Sequence, residues 1–221
     1  MGLILIIATL GLTLLVRQWL MRTYKKYAQQ GNTSGLTGAE MARAILDANN
    51  LKDVVVERVE GMLSDHYDPR SKTVRLSAMN YDQSSVAGMA VAAHEVGHAI
   101  QHANAYAPLQ WRATLVPVAS IGTNFGPILI FVGAIFSVGG LFQIGFLLFG
   151  AAALFQLVTL PVEFDASNRA MSQLEQMGLA TSGDAGGARK VLNAAALTYV
   201  AALATTVAWL LYYAMIFMGQ D

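Results

Sequence analysis

Four long apolar runs divide this chain, at about residues 3–16, 115–136, 141–160 and 194–218. With its flanks, each suffices for a helix crossing a hydrocarbon layer about 30 Å thick. The first is the shortest and needs Gln18, Trp19 and Leu20 to complete it. The second and third are separated by Ser137-Val138-Gly139-Gly140, which predicts a helical hairpin. Gly122 and Gly126 form a G-x-x-x-G in the second run, a spacing that allows close helix approach.

Between the first two runs the pattern becomes that of a small folded domain. Residues 21–35 read as a basic, then Gly/Asn/Ser-rich connector. Thr37-Gly38-Ala39-Glu40 has capping-box spacing and opens a helix through Met41, Ile45 and Leu46, ending near Asn49-Asn50. Val54–Val59 is β-branched and reads as a strand. Asp68-Pro69-Arg70-Ser71 is turn chemistry. Lys72–Leu76 alternates as a half-buried strand does. A helix from about Ser85 to about Asn104 follows, so residues 36–112 form a small α+β domain, too small to be very stable alone. After the third run the chain leaves the bilayer at Leu160-Pro161. A new helix is expected there, running to Met177 with Gly178 just past its end, and Thr181 to Gly187 reads as a turn or short loop. The organisation is an anchor over 1–20, a domain over 21–112, a transmembrane hairpin over 113–160, a helix over 161–190 and a last transmembrane helix over 191–221.

Composition agrees with this division. The 221 residues are 55% hydrophobic and 13% charged, too apolar for an ordinary soluble domain. There is no cysteine, which excludes disulfides and thiolate metal sites and fits a reducing compartment. Net charge is zero, so nothing favours nucleic acid. All 14 Lys and Arg fall at the end of the first run, between the first and second, or between the third and fourth. The hairpin turn is uncharged and the C-terminal tail has only Asp221. By the positive-inside rule the charged side is cytoplasmic and both termini are outside. The first run is not a cleaved signal peptide, since its positive charges (Arg17, Arg22, Lys25 and Lys26) follow the apolar stretch.

The candidate chemistry lies in His94-Glu95-Val96-Gly97-His98, an H-E-x-x-H. Residues four apart share a helix face, so two imidazoles can aim at one cation while Glu95 stands beside them. Imidazole suits zinc, and a catalytic zinc keeps three protein ligands and one open position. Gly97 is a poor helix former, and its place beside the histidines implies that another backbone approaches there. Val86–Ala103 is also apolar enough to suggest a span. It carries His94, Glu95, His98, Gln101 and His102, which are expensive in lipid, and a crossing would split the basic loops between two sides.

A third ligand is needed. On a straight helix His102 would lie about 12 Å from His94, too far for one zinc. His66, Asp65 and Asp68 precede the helix in a turn-rich stretch and their chemistry suits a metal. Glu163 is the preferred choice, giving a His, His, Glu site. A surface glutamate at a helix N-terminus would fit the same spacing, and spacing does not separate the two readings.

Three segments carry a resemblance: Ala92 to Gln101, Leu160 to Ser167 and Gly187 to Ala201. Together they resemble the bacterial membrane zinc metallopeptidases of the YugP-like family, related to the gluzincin group that includes HtpX and the CAAX prenyl proteases. The resemblance implies a mainly α, integral membrane fold, with four transmembrane helices and a small α+β cytoplasmic zincin-like domain. It implies zinc on His94, His98 and Glu163, with Glu95 catalytic. HtpX-like proteins have an Ala-Asp pair where this chain has Ala166-Ser167, which points to Asp165 as the group orienting a ligand histidine. The expected activity is a zinc endopeptidase of a bacterial inner membrane, its active site on the cytoplasmic side, with the lipid bilayer and protein or peptide substrates as partners. Arg169, His66, Tyr106 and Tyr199 are candidate oxyanion donors, and the strand Lys72–Leu76 is a candidate to pair with extended substrate. The rival reading is a non-proteolytic membrane protein with a structural zinc.

Overall fold

The computed structural model describes residues 2–218, so Asp221 lies outside the described residues. The chain is mainly helical, in the order α1 (Gly2–Ala28), α2 (Gly38–Ala48), β1 (Val55–Val59), β2 (His66–Asp68), β3 (Thr73–Ser77), α3 (Ala78–Asp82), α4 (Val86–Ala103), α5 (Ala107–Ile135), α6 (Gly139–Gln176) and α7 (Ser182–Met218). It divides into two compact units. One contains residues 2–16, 107–161 and 198–218, the other 17–106 and 162–197.

The first unit is built from α5 and parts of α1, α6 and α7. All four helices are long and apolar enough to cross a membrane, whereas α4 is not among them. Their large side chains, such as Leu3, Ile4, Phe131, Leu147 and Leu211, are exposed. Water penalises such a surface and lipid does not. The α5–α6 hairpin closes through the expected glycines. A Cβ on Gly122 would lie 2.0 Å from the Leu148 carbonyl oxygen, and one on Gly126 would lie 3.0 Å from the Phe149 nitrogen.

The second unit holds a sheet of order β1-β3-β2, with β1 parallel and β2 antiparallel to β3. Its core gathers Met41, Ile45 and Leu46 of α2, Val74 and Leu76 of β3, and Met89 and Val96 of α4. Thr37 and Glu40 form the reciprocal cap that their spacing implied. The connector after α1 is not loose. Gln30 O accepts from Val86 N at 2.8 Å and Asn32 N donates to Ser84 O at 3.1 Å, which pins the start of α4. Ser85 caps that helix by accepting from Gly88 N at 3.0 Å.

Three sequence expectations need correction, and two short elements were not foreseen. No helix starts after Pro161, because α6 runs unbroken from Gly139 to Gln176 with that proline inside it. A proline inside a helix costs about 3 kcal/mol. Here Val162, Ala166, Ala170 and Leu174 recur every four residues and are all buried, and that packing keeps the chain helical. Residues 182–187 are helical as well. Thr181 caps them by accepting from Asp184 N at 3.4 Å, while the Asp184 carboxylate accepts from Thr181 N at 3.4 Å. The strand expected at 72–76 is β3, shifted to Thr73–Ser77 and central. With a neighbour on both sides it has no free edge to offer a substrate. Finally, β2 and α3 went unpredicted, being only 3 and 5 residues long. Gly178 does end α6 as expected, with φ +65 and Leu179 N donating back to Leu174 O at 3.0 Å.

Candidate metal centre

His94 and His98 stand one turn apart on α4, with ring centroids 4.8 Å apart and planes at 83°. Opposite them α6 brings Glu163, which is buried at 3% exposure. The Glu163 Oε2 lies 3.3 Å from His94 Nε2 and 3.8 Å from His98 Nε2. One ligand atom from each of the three residues falls within 4.8 Å of the others, and among the described residues this is the group of His and acidic side chains able to hold a metal. Ligands on a tetrahedral zinc with bonds of about 2.0–2.1 Å lie about 3.3 Å from one another. The donor set therefore has the chemistry and nearly the spacing that zinc needs. Glu163 is neither at a helix N-terminus nor on the surface, which removes the rival account of it.

The close approach depends on Gly97. A Cβ there would lie 2.5 Å from the carbonyl oxygen of Ala166. Gly97 sits between the two histidines, and Ala166 sits between Glu163 and Ser167. The missing side chain thus lets the two helix backbones come near enough for their ligands to meet.

The other candidate ligands are engaged elsewhere. His66 is exposed, with its Nδ1 2.8 Å from Ser64 O. Asp65 accepts from Ser77 N at 2.7 Å and from Asn80 Nδ2 at 3.0 Å. Asp68 accepts from Ser71 Oγ at 2.8 Å and pairs with Arg75. His102 Nδ1 lies 2.9 Å from the Tyr67 hydroxyl.

Glu95 is buried beside the histidines. Burial pushes its carboxyl group up in pKa, against the opposing pull of His94 and His98. Among the oxyanion candidates, Arg169 donates to Asp165, and its guanidinium lies 5.7 Å from the centroid of the Tyr106 ring. Tyr199 lies on α7 in the other unit.

Two residues that sequence reasoning passed over hold the histidines from behind. Ser167 Oγ lies 3.1 Å from His94 Nδ1, and Gln101 Oε1 lies 2.9 Å from His98 Nδ1. Helical spacing carried the signal, since Gln101 follows His98 by three residues and Ser167 follows Glu163 by four. Asp165 does not contact either imidazole directly. It accepts from Gln101 Nε2 at 2.8 Å and so reaches His98 through the amide.

Helices able to cross a membrane, joined to a His, His, Glu donor set of which His98 and Glu163 are buried and His94 is partly exposed, define a membrane protein with a candidate zinc centre. The particular family follows from the whole sequence. The chain belongs to the family described as "Putative neutral zinc metallopeptidase", whose profile matches residues 2–218. It is 44% identical over 218 residues to the "Putative membrane protease YugP" of Bacillus subtilis (strain 168), covering 98% of this chain and 97% of that one. No solved structure matches it. Membership implies zinc, and the donors on α4 and α6 fit that metal.

Proposed function

We propose that the protein is a membrane-embedded zinc endopeptidase with His94, His98 and Glu163 as metal ligands and Glu95 as the catalytic base. The observation that carries this is the meeting of three ligand atoms within 4.8 Å beside a buried carboxylate that is not one of them. Zinc, when bound, acts as a Lewis acid on a carbonyl oxygen and brings the pKa of water to about 7. Glu95 takes the proton of the attacking water as its oxygen bonds to the peptide carbon. Glu95 then gives that proton to the amide nitrogen as the C–N bond breaks, leaving a carboxylate and an amine. Burial favours the protonated carboxyl, which suits a group that must hold a proton between the two steps.

Substrate enters as extended chain. The free edges of the sheet are β1 and β2, and β2 is tied to α4 through Tyr67 and His102. Pairing along β2 is the reading preferred here. The charge distribution supports a cytoplasmic active site, both termini outside, and membrane-proximal or unfolded proteins as substrates.

The test uses full-length protein in detergent with an unfolded fluorescent protein substrate. Glu95→Gln is expected to lose about 10²- to 10⁴-fold in rate while keeping its zinc. Equal cleavage by Glu95→Gln refutes the mechanism, and would suit a structural zinc. The chain has no cysteine, so Arg70→Cys offers a single labelling site. Labelling of intact cells by an impermeant thiol reagent would place the site on the opposite side.

A further inference from the structure

The two histidines present Nε2 to the shared centre, and the groups behind them are neutral. A ligand imidazole usually gives its second N–H to a carboxylate, a backbone carbonyl or water. Here the partners are the Gln101 amide oxygen at 2.9 Å and the Ser167 hydroxyl at 3.1 Å. The nearby carboxylate, Asp165, is held one residue back and paired with Arg169.

Gln101 is fully buried, and its orientation follows from its neighbours. Its Nε2 donates to Val162 O and to Asp165 Oδ2, both at 2.8 Å. A backbone carbonyl accepts only, so the group that meets Val162 O is the amide N–H and the amide oxygen must face His98. His98 Nδ1 therefore carries a hydrogen, and Nε2 is the ring atom that faces Glu163 and the shared centre. Ser167 differs, because a hydroxyl both donates and accepts and so sets no tautomer on His94.

We propose that Gln101 and Ser167 are positioning residues that aim the two imidazoles without lending them negative charge, so that zinc is held less tightly than in a carboxylate-backed site. This rests on the zinc reading above.

The test is a competition titration of zinc against a chelator, on full-length protein in detergent. The variants are Ser167→Asp, Ser167→Ala, Gln101→Ala and Glu163→Ala, and metal-free melting temperatures are recorded alongside. Changes in such outer partners shift metal affinity by about 10- to 100-fold. Ser167→Asp is expected to bind about 10-fold tighter, and Ser167→Ala and Gln101→Ala about 10-fold weaker. The two Ser167 variants should melt within about 2 °C of wild type when metal-free, which a merely structural role would not give. Gln101→Ala, which empties a buried hydrogen-bonded position, should melt lower and is compared by its zinc affinity while folded. A Ser167→Asp that melts normally and binds no tighter overturns the proposal. If that variant unfolds, the alanine variants decide, and wild-type affinity in both overturns it. Glu163→Ala retaining zinc would refute the ligand assignment instead, so the two failures are distinguishable.

Discussion

Gly97→Ala is the smallest change that tests how the site is assembled. The added methyl carbon would lie 2.5 Å from the Ala166 carbonyl oxygen, 3.1 Å from its carbonyl carbon and 3.2 Å from its Cα. These are backbone atoms of a helix and cannot swing aside. Ordinary contact begins near 3.4 Å, so α4 and α6 must separate locally by about 0.9 Å, and by about 0.5 Å even for a contact at the 3.0 Å limit. Metal–ligand distances tolerate about 0.2 Å. Overpacking of this kind costs about 1–3 kcal/mol, and the better helix propensity of alanine returns about 1 kcal/mol. Fold stability should therefore fall by at most about 2 kcal/mol. Zinc affinity should fall at least tenfold, equivalent to about 1.4 kcal/mol, because Glu163 is carried away from both histidines. The assay is the competition titration combined with metal-free melting. Gly150→Ala is the control, since a Cβ there meets nothing within 4 Å. If Gly97→Ala binds zinc within twofold of wild type, the two helices do not set the site as argued.

Other consequences follow from the same structure. Removing metal with a chelator should lower the melting temperature, and added zinc should restore it. At 100 times its dissociation constant a ligand contributes about 2.7 kcal/mol, and a melting curve indifferent to zinc would count against a site preformed in the fold. Gly122→Leu should separate the α5–α6 hairpin, because even a Cβ would sit 2.0 Å from Leu148 O. Loss of monodisperse protein on gel filtration checks this. The Ser71 hydroxyl, the Arg70 N–H and the Arg75 guanidinium hold Asp68 down at about 2. Its stabilising effect is full above about pH 4 and is lost as pH falls toward 2. Urea unfolding of Asp68→Asn should therefore differ most from wild type near neutral pH and converge with it in acid.

Much of this protein could be read from one dimension. Length and hydropathy determined four membrane-capable helices, because a bilayer demands long uninterrupted apolar runs. The capping box at Thr37 and Glu40 marked the start of α2, since caps act locally. His94 and His98 were legible because a helical period of 3.6 residues aligns them without help from the rest of the chain. Everything that joins separate elements was decided by tertiary structure. Pro161 looked like a break and is not one, because the burial of Val162, Ala166, Ala170 and Leu174 outweighs a local penalty. β3 alternates as a half-buried strand does, and only strand order showed that it is the central strand of the sheet. Spacing did not separate Glu163 from a surface glutamate, and only the packing of α6 on α4 at Gly97 buries it beside the two histidines. Ser167 met His94 only through the same approach, whereas Gln101 meets His98 within α4 and is tied to α6 by Val162 and Asp165. A hydrogen bond between residues 73 apart leaves no periodic trace in the sequence, and only the folded chain brings its two ends together.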